Sequence, residues 1–368
     1  MIAIRAVLST SPTALLRGIL ALLFAAVLLS GCDMPIPSNS RWLDKPPVTS
    51  GQFIMPDGFV LPYRAWLPDG PPRAVVLALH GMNDSRDAWE YPAPDFVNAG
   101  VAVYAPDQRG FGATPDRGRW AGSKVMASDA RHMAEILHQT YPHTRLILMG
   151  ESMGAAVLMV LAAEPDPPPV NGYVLISPAV WGRAEMNLFL RAGLWFFSHV
   201  FPAMTVTGDG FVHVMASDNS KAIMRLSDDP LTIHATRWAA LRGLVNLMSD
   251  AMDDAPDFHG RALFLYGGPD ELIPMRATAA IWRVLPPTAR KAYYPADYHL
   301  MLRDHERVTP TEDILSWIFH PNGPLPSGAD RAAVAWLQKQ DSKEPTNLSR
   351  CAEGGRCVAR LADRKGQG

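Results

Sequence analysis

Short apolar runs of strand length alternate with helical patterns along most of this chain. Continuously apolar runs are typical of parallel strands that are covered on both faces by connecting helices. The runs are 74–79, 101–105, 146–149, 173–176, 262–266 and 292–294, and the helical patterns are 85–98, 128–140, 153–163, 275–284 and 311–319. This alternation predicts an α/β fold with a mostly parallel sheet and helices on both faces.

A predicted hairpin precedes the first of these strands. Residues 53–55 and 59–66 form two runs separated by Pro56-Asp57-Gly58, which are turn-forming residues. An antiparallel pair of this kind belongs at one edge of the sheet.

Composition excludes several classes of protein. The chain has 368 residues, of which 48% are hydrophobic and 19% charged, as in globular proteins. The formal net charge is −2, and no basic run is interleaved with aromatic residues. We therefore expect no nucleic-acid partner.

The alternation is interrupted once, which suggests an inserted segment. We expect an α/β core over 51–180 and 257–322, and a helical cap insertion over 181–256 that is rich in bulky apolar residues. The tail, 323–368, is proline- and glycine-rich and then polar, so we expect it to be partly disordered, with a short helix near 332–338.

The N-terminus has the pattern of a targeting segment. Residues 1–31 contain two arginines and an apolar run too short for a comfortable membrane span. The run ends in Leu29-Ser30-Gly31-Cys32, which resembles the lipobox of bacterial lipoproteins and implies lipidation of Cys32. The segment 32–50 then reads as a tether, and the expected location is the cell envelope, facing the periplasm. Asp33 resembles an inner-membrane retention signal, but the choice of membrane stays open. An ordinary secretory signal or a retained anchor is the alternative.

The other two cysteines, Cys351 and Cys357, lie close together in the tail. Outside the cytoplasm they could form a small-loop disulfide, which we interpret as a local staple. Their spacing, without nearby histidines, does not predict a metal site.

The stretch Gly150-Glu151-Ser152-Met153-Gly154 joins a predicted strand directly to a predicted helix. It fits the pattern Gly-x-Ser-x-Gly, in which a sharp turn holds the serine in a strained conformation at the strand end. Side chains at the two glycine positions would collide with the neighbouring strand or helix. Ser152 is therefore the candidate nucleophile.

A nucleophilic serine needs a base within hydrogen-bond reach and a carboxylate that orients the base. Asp270 and His299 each follow a predicted strand, in the chain order serine, acid, histidine. Asp297 and Asp304 compete for the acid's role, but both are too close to His299 in sequence to lie on a separate strand. His305 competes with His299 but lies further along the chain.

An acyl-transfer site also needs two backbone donors for the oxyanion. The N–H of Met153, directly after the serine, is one candidate, and the N–H of Met82 is the other. Gly81 allows the backbone beside Met82 to approach the site, and we expect His80 to brace this loop.

These motifs together resemble the monoacylglycerol lipase and lysophospholipase group of α/β hydrolases, often labelled serine aminopeptidase-like. The resemblance covers roughly residues 52–320 and is carried by His80-Gly81, Asp107-x-Arg109-Gly110-x-Gly112, Gly150-x-Ser152-Met153-Gly154, Asp270-x-x-x-Pro274 and Tyr298-His299. It implies an α/β-hydrolase fold with a mostly parallel eight-stranded sheet and a helical cap, without cofactor or metal. Glu151 stands where many members have His, and Ala155 where many have Gly. We expect Asp107 and Arg109 to pair or to bond loop backbone as scaffold.

The expected activity is hydrolysis of fatty acyl esters, such as monoacylglycerol or lysophospholipid, through an acyl-enzyme on Ser152. The expected partners are a small acyl ester or lipid, and a membrane through the N-terminal anchor. One alternative is peptidase or thioesterase activity on the same triad. A peptidase would need an acidic pocket, for which Asp250, Asp253 and Asp254 are candidates, although we expect them to be solvated. Another alternative is a catalytically idle lipid-binding lipoprotein of the envelope.

Overall fold

The computed structural model describes residues 48–183, 186–207 and 214–343. The predicted signal segment, Cys32, most of the tether, Cys351 and Cys357 lie outside the described residues. Within these ranges, no helix is long and apolar enough to cross a membrane.

Eight strands form one sheet. They are β1 (Val48–Ile54), β2 (Val60–Trp66), β3 (Ala74–Leu79), β4 (Val101–Pro106), β5 (Arg145–Glu151), β6 (Gly172–Ile176), β9 (Ala262–Gly267) and β10 (Ala289–Tyr294). Their order is β1-β2-β4-β3-β5-β6-β9-β10. Strands β1 and β2 form an antiparallel hairpin, β2 is antiparallel to β4, and all other neighbours are parallel. The mostly parallel eight-stranded sheet with a hairpin at one edge is confirmed.

The parallel strands are connected by the helices α1 (Ala93–Asn98), α2 (Ser123–Thr140), α3 (Met153–Ala162) and α7 (Met275–Val284). Helices α8 (Val308–Phe319) and α9 (Ala329–Lys343) follow β10. Between β6 and β9 the chain forms α4 (Leu188–Val200), α5 (Ser220–Asp228) and α6 (Trp238–Asp254), with two short paired strands, β7 (Thr205–Val206) and β8 (Thr236–Arg237).

The sheet separates two apolar cores because successive side chains of a strand point to opposite faces. On β3, Val75, Leu77 and Leu79 belong to the core that includes α2, α3, α6 and α7. Ala74, Val76 and Ala78 belong to the core that includes α1 and α8. Helices therefore cover both faces, and the site lies at the carboxyl ends of the central strands.

Two predicted boundaries differ from the structure near the N-terminal half. Strand β1 begins at Val48, ahead of the boundary predicted at residue 51 between tether and core. The helix predicted over 85–98 is divided into a 3₁₀ turn, Arg86–Trp89, and α1. Pro92 and Pro94 explain the division, since proline cannot donate the backbone bond that a continuous helix needs.

The core also extends beyond its predicted end at residue 322. Helix α9 is longer than the short helix predicted near 332–338, and it packs against β10. Trp336 is buried, and its ring is stacked on that of Tyr293 at 5.2 Å and meets that of Trp282 edge to face at 4.9 Å. This aromatic cluster holds the first part of the predicted tail against the sheet.

Candidate active site

Ser152 occupies a sharp turn between β5 and α3. Its φ is 53° and its ψ is −112°, a conformation that costs a non-glycine residue roughly 1–3 kcal/mol. The turn is fixed to the neighbouring strand, because the Ser152 N–H donates to the Ile176 carbonyl at 2.9 Å. The surrounding backbone thus holds the serine in the strained turn that the motif predicts.

The two glycines of this turn are required by close packing. A Cβ at Gly150 would lie 2.5 Å from the nitrogen of Ala155, and one at Gly154 would lie 2.3 Å from the carbonyl oxygen of Leu79. Both are backbone atoms, so neither can move away as the end of a flexible side chain could. Strand β5, helix α3 and the end of β3 can therefore approach only if both positions lack a side chain.

Asp270 and His299 are brought together by the turns that follow β9 and β10. The Oδ2 of Asp270 lies 2.8 Å from the Nδ1 of His299, and both side chains are buried. The Oδ1 of Asp270 accepts the N–H groups of Leu272 and Ile273 at 2.8 and 2.9 Å. The carboxylate is thereby aimed at the imidazole and cannot rotate without losing both bonds.

The competing residues have other environments. Asp304 accepts the N–H of Tyr298 at 2.6 Å, and burial together with the Asp304 charge raises the pKa of Asp297 to about 7. His305 is exposed, and its backbone N–H donates to Asp218. The structure therefore pairs Asp270, rather than its two rivals, with His299.

The pKa of His299 is set by opposing effects. Burial alone would lower the pKa, but the carboxylates of Asp270 and Glu151 outweigh burial, and the pKa is raised. A raised pKa makes the imidazole a stronger base, provided that the pH is high enough to keep it neutral.

Ser152 and His299 both line one cavity of about 790 Å³, a size typical of small-molecule sites. Most of its wall is apolar and comes from the chain between β6 and β9. These side chains are Trp181, Met186, Phe189, Leu190, Leu194, Phe197, Trp238, Leu241, Leu244, Val245 and Met248. Asp84 and Glu151 are its charged lining residues near the serine, whereas the acidic residues near the end of α6 are not part of the lining.

The loop that follows β3 lies beside the serine. Gly81 and Met82 line the cavity, and a Cβ at Gly81 would lie 3.4 Å from the Cβ of Ser152. Met153 is the first residue of α3, so its N–H has no acceptor within the helix. These positions suit the two predicted oxyanion donors.

His80 holds this loop against its neighbour. Burial lowers the pKa of His80. The N–H of Gln108 donates to its Nε2 at 3.0 Å, which leaves Nδ1–H to donate to the Gly81 carbonyl at 2.7 Å. This geometry fits the expected bracing role.

Asp107 and Arg109 are buried scaffold residues, but each has its own partners. Asp107 pairs with the Arg86 guanidinium at 2.7 Å and accepts the backbone N–H groups of Arg86 and Ala113. Arg109 pairs with Asp57 and Asp129, both at 2.8 Å, and so joins the hairpin turn to α2. Of the two alternatives expected, pairing with one another is not found, and the bonding of Asp107 to loop backbone is confirmed.

The segment between β6 and β9 is hydrogen-bonded to the loops of the candidate site. Asn83, in the loop after β3, donates from Nδ2 to the Thr236 hydroxyl at 2.6 Å. Leu300 donates its N–H to the Ala216 carbonyl at 2.8 Å. The inserted segment therefore helps to position the loops on which the candidate site depends.

Arg303 is a buried site residue that the sequence analysis missed. It donates to the carboxylates of Asp84 and Glu151, the second at 3.2 Å. A signal was present, since Glu151 stands beside Ser152 where many members of the group that the chain resembles have His, and a buried carboxylate needs a cation. In the described part of the chain, no cluster of three or more His, Cys, Asp or Glu side chains could hold a metal ion.

Residues 70–306 match the family described as serine aminopeptidase, S33. The chain belongs to this family. A monoacylglycerol lipase of Mycolicibacterium smegmatis is 26% identical over 270 residues, which cover 71% of this chain and 93% of the relative. The crystal structure of a Paleococcus ferrophilus monoacylglycerol lipase matches with a TM-score of 0.59 at 21% identity, over 70% of this chain and 98% of that one. A soluble variant of the Saccharomyces cerevisiae monoglyceride lipase matches with a TM-score of 0.63 at 16% identity, over 77% and 98%.

These similarities confirm the expected α/β-hydrolase fold. The part of the chain that matches the serine aminopeptidase S33 family contains Ser152, Asp270 and His299, together with the whole insertion between β6 and β9. The β1–β2 hairpin and the helices α8 and α9 lie outside the matched range.

Proposed function

We propose that the chain hydrolyses carboxylic esters of fatty acids, such as monoacylglycerol or lysophospholipid, through an acyl-enzyme on Ser152. The observation that carries this proposal is the shared apolar cavity, which is lined by the strained Ser152 and by His299, the partner of the buried Asp270. An acyl chain matches a wall made of apolar side chains. The relative from Mycolicibacterium smegmatis, named a monoacylglycerol lipase, supports the same substrate class.

In the proposed mechanism, the Nε2 of His299 takes the proton of the Ser152 hydroxyl as its oxygen attacks the ester carbonyl. Asp270 holds the ring with its proton on Nδ1 and stabilises the imidazolium that forms. The N–H groups of Met82 and Met153 donate to the oxyanion. His299 then protonates the departing alcohol. Water, activated by the same imidazole, releases the fatty acid and restores the serine.

The central test is Ser152→Ala, assayed with p-nitrophenyl esters of increasing acyl length and with monoacylglycerol. We expect the variant to lose turnover and labelling by a fluorophosphonate, with unchanged thermal unfolding. Ser198→Ala is the matched control, because this buried serine of α4 does not line the cavity. Turnover by Ser152→Ala at the rate of the control would refute the mechanism.

The same assay separates the alternatives. A peptidase would prefer aminoacyl amides, which need a free carboxylate for the substrate amine; in this cavity Asp84 and Glu151 are already paired with Arg303. A thioesterase would prefer acyl thioesters to the matched oxygen esters. An idle lipid-binding protein would not react with the fluorophosphonate.

We also propose that Cys32 carries a lipid that tethers the enzyme to an envelope membrane, facing the periplasm. The support is the sequence Leu29-Ser30-Gly31-Cys32 after an apolar run. Metabolic labelling with an alkyne fatty acid should mark the wild type and not Cys32→Ser. In the same preparation, non-reducing mass spectrometry should find Cys351 and Cys357 joined; free thiols at both would reject the disulfide.

A further inference from the structure

Arg303 lies at the point where three catalytic loops meet. One of its carboxylate partners, Asp84, is on the loop that carries Gly81 and Met82, and the other, Glu151, directly precedes Ser152. Arg303 itself is on the loop that follows β10 and carries His299. A single guanidinium thus spans the loop with the candidate oxyanion donor, the nucleophile turn and the histidine loop.

The backbone of Arg303 is fixed as firmly as its side chain. Its N–H donates to the Leu300 carbonyl at 2.8 Å, which closes a tight turn after His299. Its carbonyl accepts from the Nδ2 of Asn219 at 2.9 Å, and Asn219 also caps the N-terminus of α5. Arg303 is therefore not free to follow one loop without disturbing the others.

Charge balance gives this arrangement a second role. Asp84, Glu151 and Arg303 are all buried, so the two carboxylates share one cation in a region with little water. Burial raises the pKa of Glu151, and the Arg303 charge opposes that rise. The Glu151 carboxylate raises the pKa of His299, and the Arg303 charge lowers it.

Other charged groups face this network and form its fixed background. Asp270 raises the pKa of His299, Asp304 raises that of Glu151, and Glu90 raises that of Arg303. The pKa of His80 is raised by Asp84 and lowered by Arg303. A change at Arg303 or Glu151 alters the charge beside His299 and leaves the Asp270 contact in place.

We propose that Arg303 is a positioning residue that locks the three catalytic loops together and balances the two carboxylates beside His299. The inference rests on the proposed ester hydrolysis, in which His299 is the base. A base of this kind must be neutral, so kcat/KM falls as the pH drops through its pKa. The acid limb of the pH profile therefore reports the charge around His299.

The test compares Arg303→Met, Arg303→Lys and Glu151→Gln with the wild type, using a soluble short-chain p-nitrophenyl ester. Arg303→Met removes the cation that bonds Asp84 and Glu151, so we expect kcat to fall by about 10²-fold from misplaced loops. Glu151→Gln removes a carboxylate, so its limb should move to lower pH. Arg303→Lys keeps the charge and should keep the wild-type limb, with a smaller loss of kcat.

Arg64→Met is the matched control, because Arg64 is equally buried and pairs with a buried aspartate, Asp87, at 2.9 Å. It should lower the unfolding temperature without moving the acid limb. If Arg303→Met does not fold, the acid limb of Glu151→Gln still tests the proposal, since the Asp84–Arg303 pair remains intact in that variant.

Coincident acid limbs for all of these variants would overturn the Arg303 proposal, as would an equal shift in Arg64→Met. The result is separable from the proposed function. If Ser152→Ala still turns over the ester, the proposal of ester hydrolysis on Ser152 is rejected, regardless of the positions of the acid limbs. If Ser152→Ala is inactive and the limbs coincide, only the role of Arg303 fails.

Discussion

Replacing Asp270 with asparagine isolates the orienting role of its carboxylate. In the native site, Oδ1 accepts two backbone N–H groups, from Leu272 and Ile273, and Oδ2 faces the Nδ1 of His299 at 2.8 Å. The amide oxygen of an asparagine would keep the two backbone bonds, which leaves its NH₂ pointing at His299. The imidazole must then present a lone pair at Nδ1 and carry its proton on Nε2.

A ring in that tautomer cannot take the proton of Ser152. For Asp270→Asn we expect a fall in kcat of about 10⁴-fold, equivalent to about 5 kcal/mol of transition-state stabilisation. The backbone turn should survive because its hydrogen bonds survive. The loss should therefore be kinetic, with little change in thermal unfolding.

The assay is steady-state turnover of a p-nitrophenyl ester, with the rate of fluorophosphonate labelling as a second readout. Asp297→Asn is the matched control: Asp297 is buried on the same loop as His299, and its pKa of about 7 makes the amide a close replacement for its protonated form. If Asp270→Asn kept its rate within tenfold, or Asp297→Asn lost as much, the orienting argument would be wrong.

Two further substitutions, the second with a control, test the frame around the site. Trp336→Ala should lower the free energy of unfolding by about 3 kcal/mol, because the buried indole stacks on Tyr293. Urea unfolding measures this loss, and kcat of the folded fraction should stay unchanged. An unmoved urea midpoint would show that α9 is dispensable. Gly154→Ala should abolish fluorophosphonate labelling, because its Cβ would lie 2.3 Å from the Leu79 oxygen. Gly193 is a residue of α4, and a Cβ built there would have no atom within 4 Å. Gly193→Ala should therefore stabilise the protein by up to about 1 kcal/mol in thermal unfolding. The same response at both glycines would refute the packing argument.

The elements that the sequence predicted well depend on neighbours in the chain. Strand β5, the glycines and helix α3 follow one another directly, so the serine turn can be recognised without knowing what packs around it. Helix α9 was underestimated for the opposite reason. The helix is largely polar in sequence, and the packing of Trp336 could not be predicted from the local pattern because its partners lie on β10 and α7.

The pairings of charged residues show the same limit. Arg109 is two residues from Asp107, yet its partners are Asp57 and Asp129, because the loop turns the two side chains to different neighbours. Arg303 is 219 residues from Asp84 and 152 residues from Glu151 in the chain. Sequence proximity says little about which charges share a buried space.

The order of strands and helices, the strained serine turn and the succession of serine, acid and histidine are determined by the sequence, since each depends on short-range patterns of polarity and backbone freedom. The partners of Asp107 and Arg109, and the place of Arg303 among three loops, are decided by the tertiary structure. Both depend on which distant turns the sheet brings together at its carboxyl edge, where burial makes each unpaired charge costly.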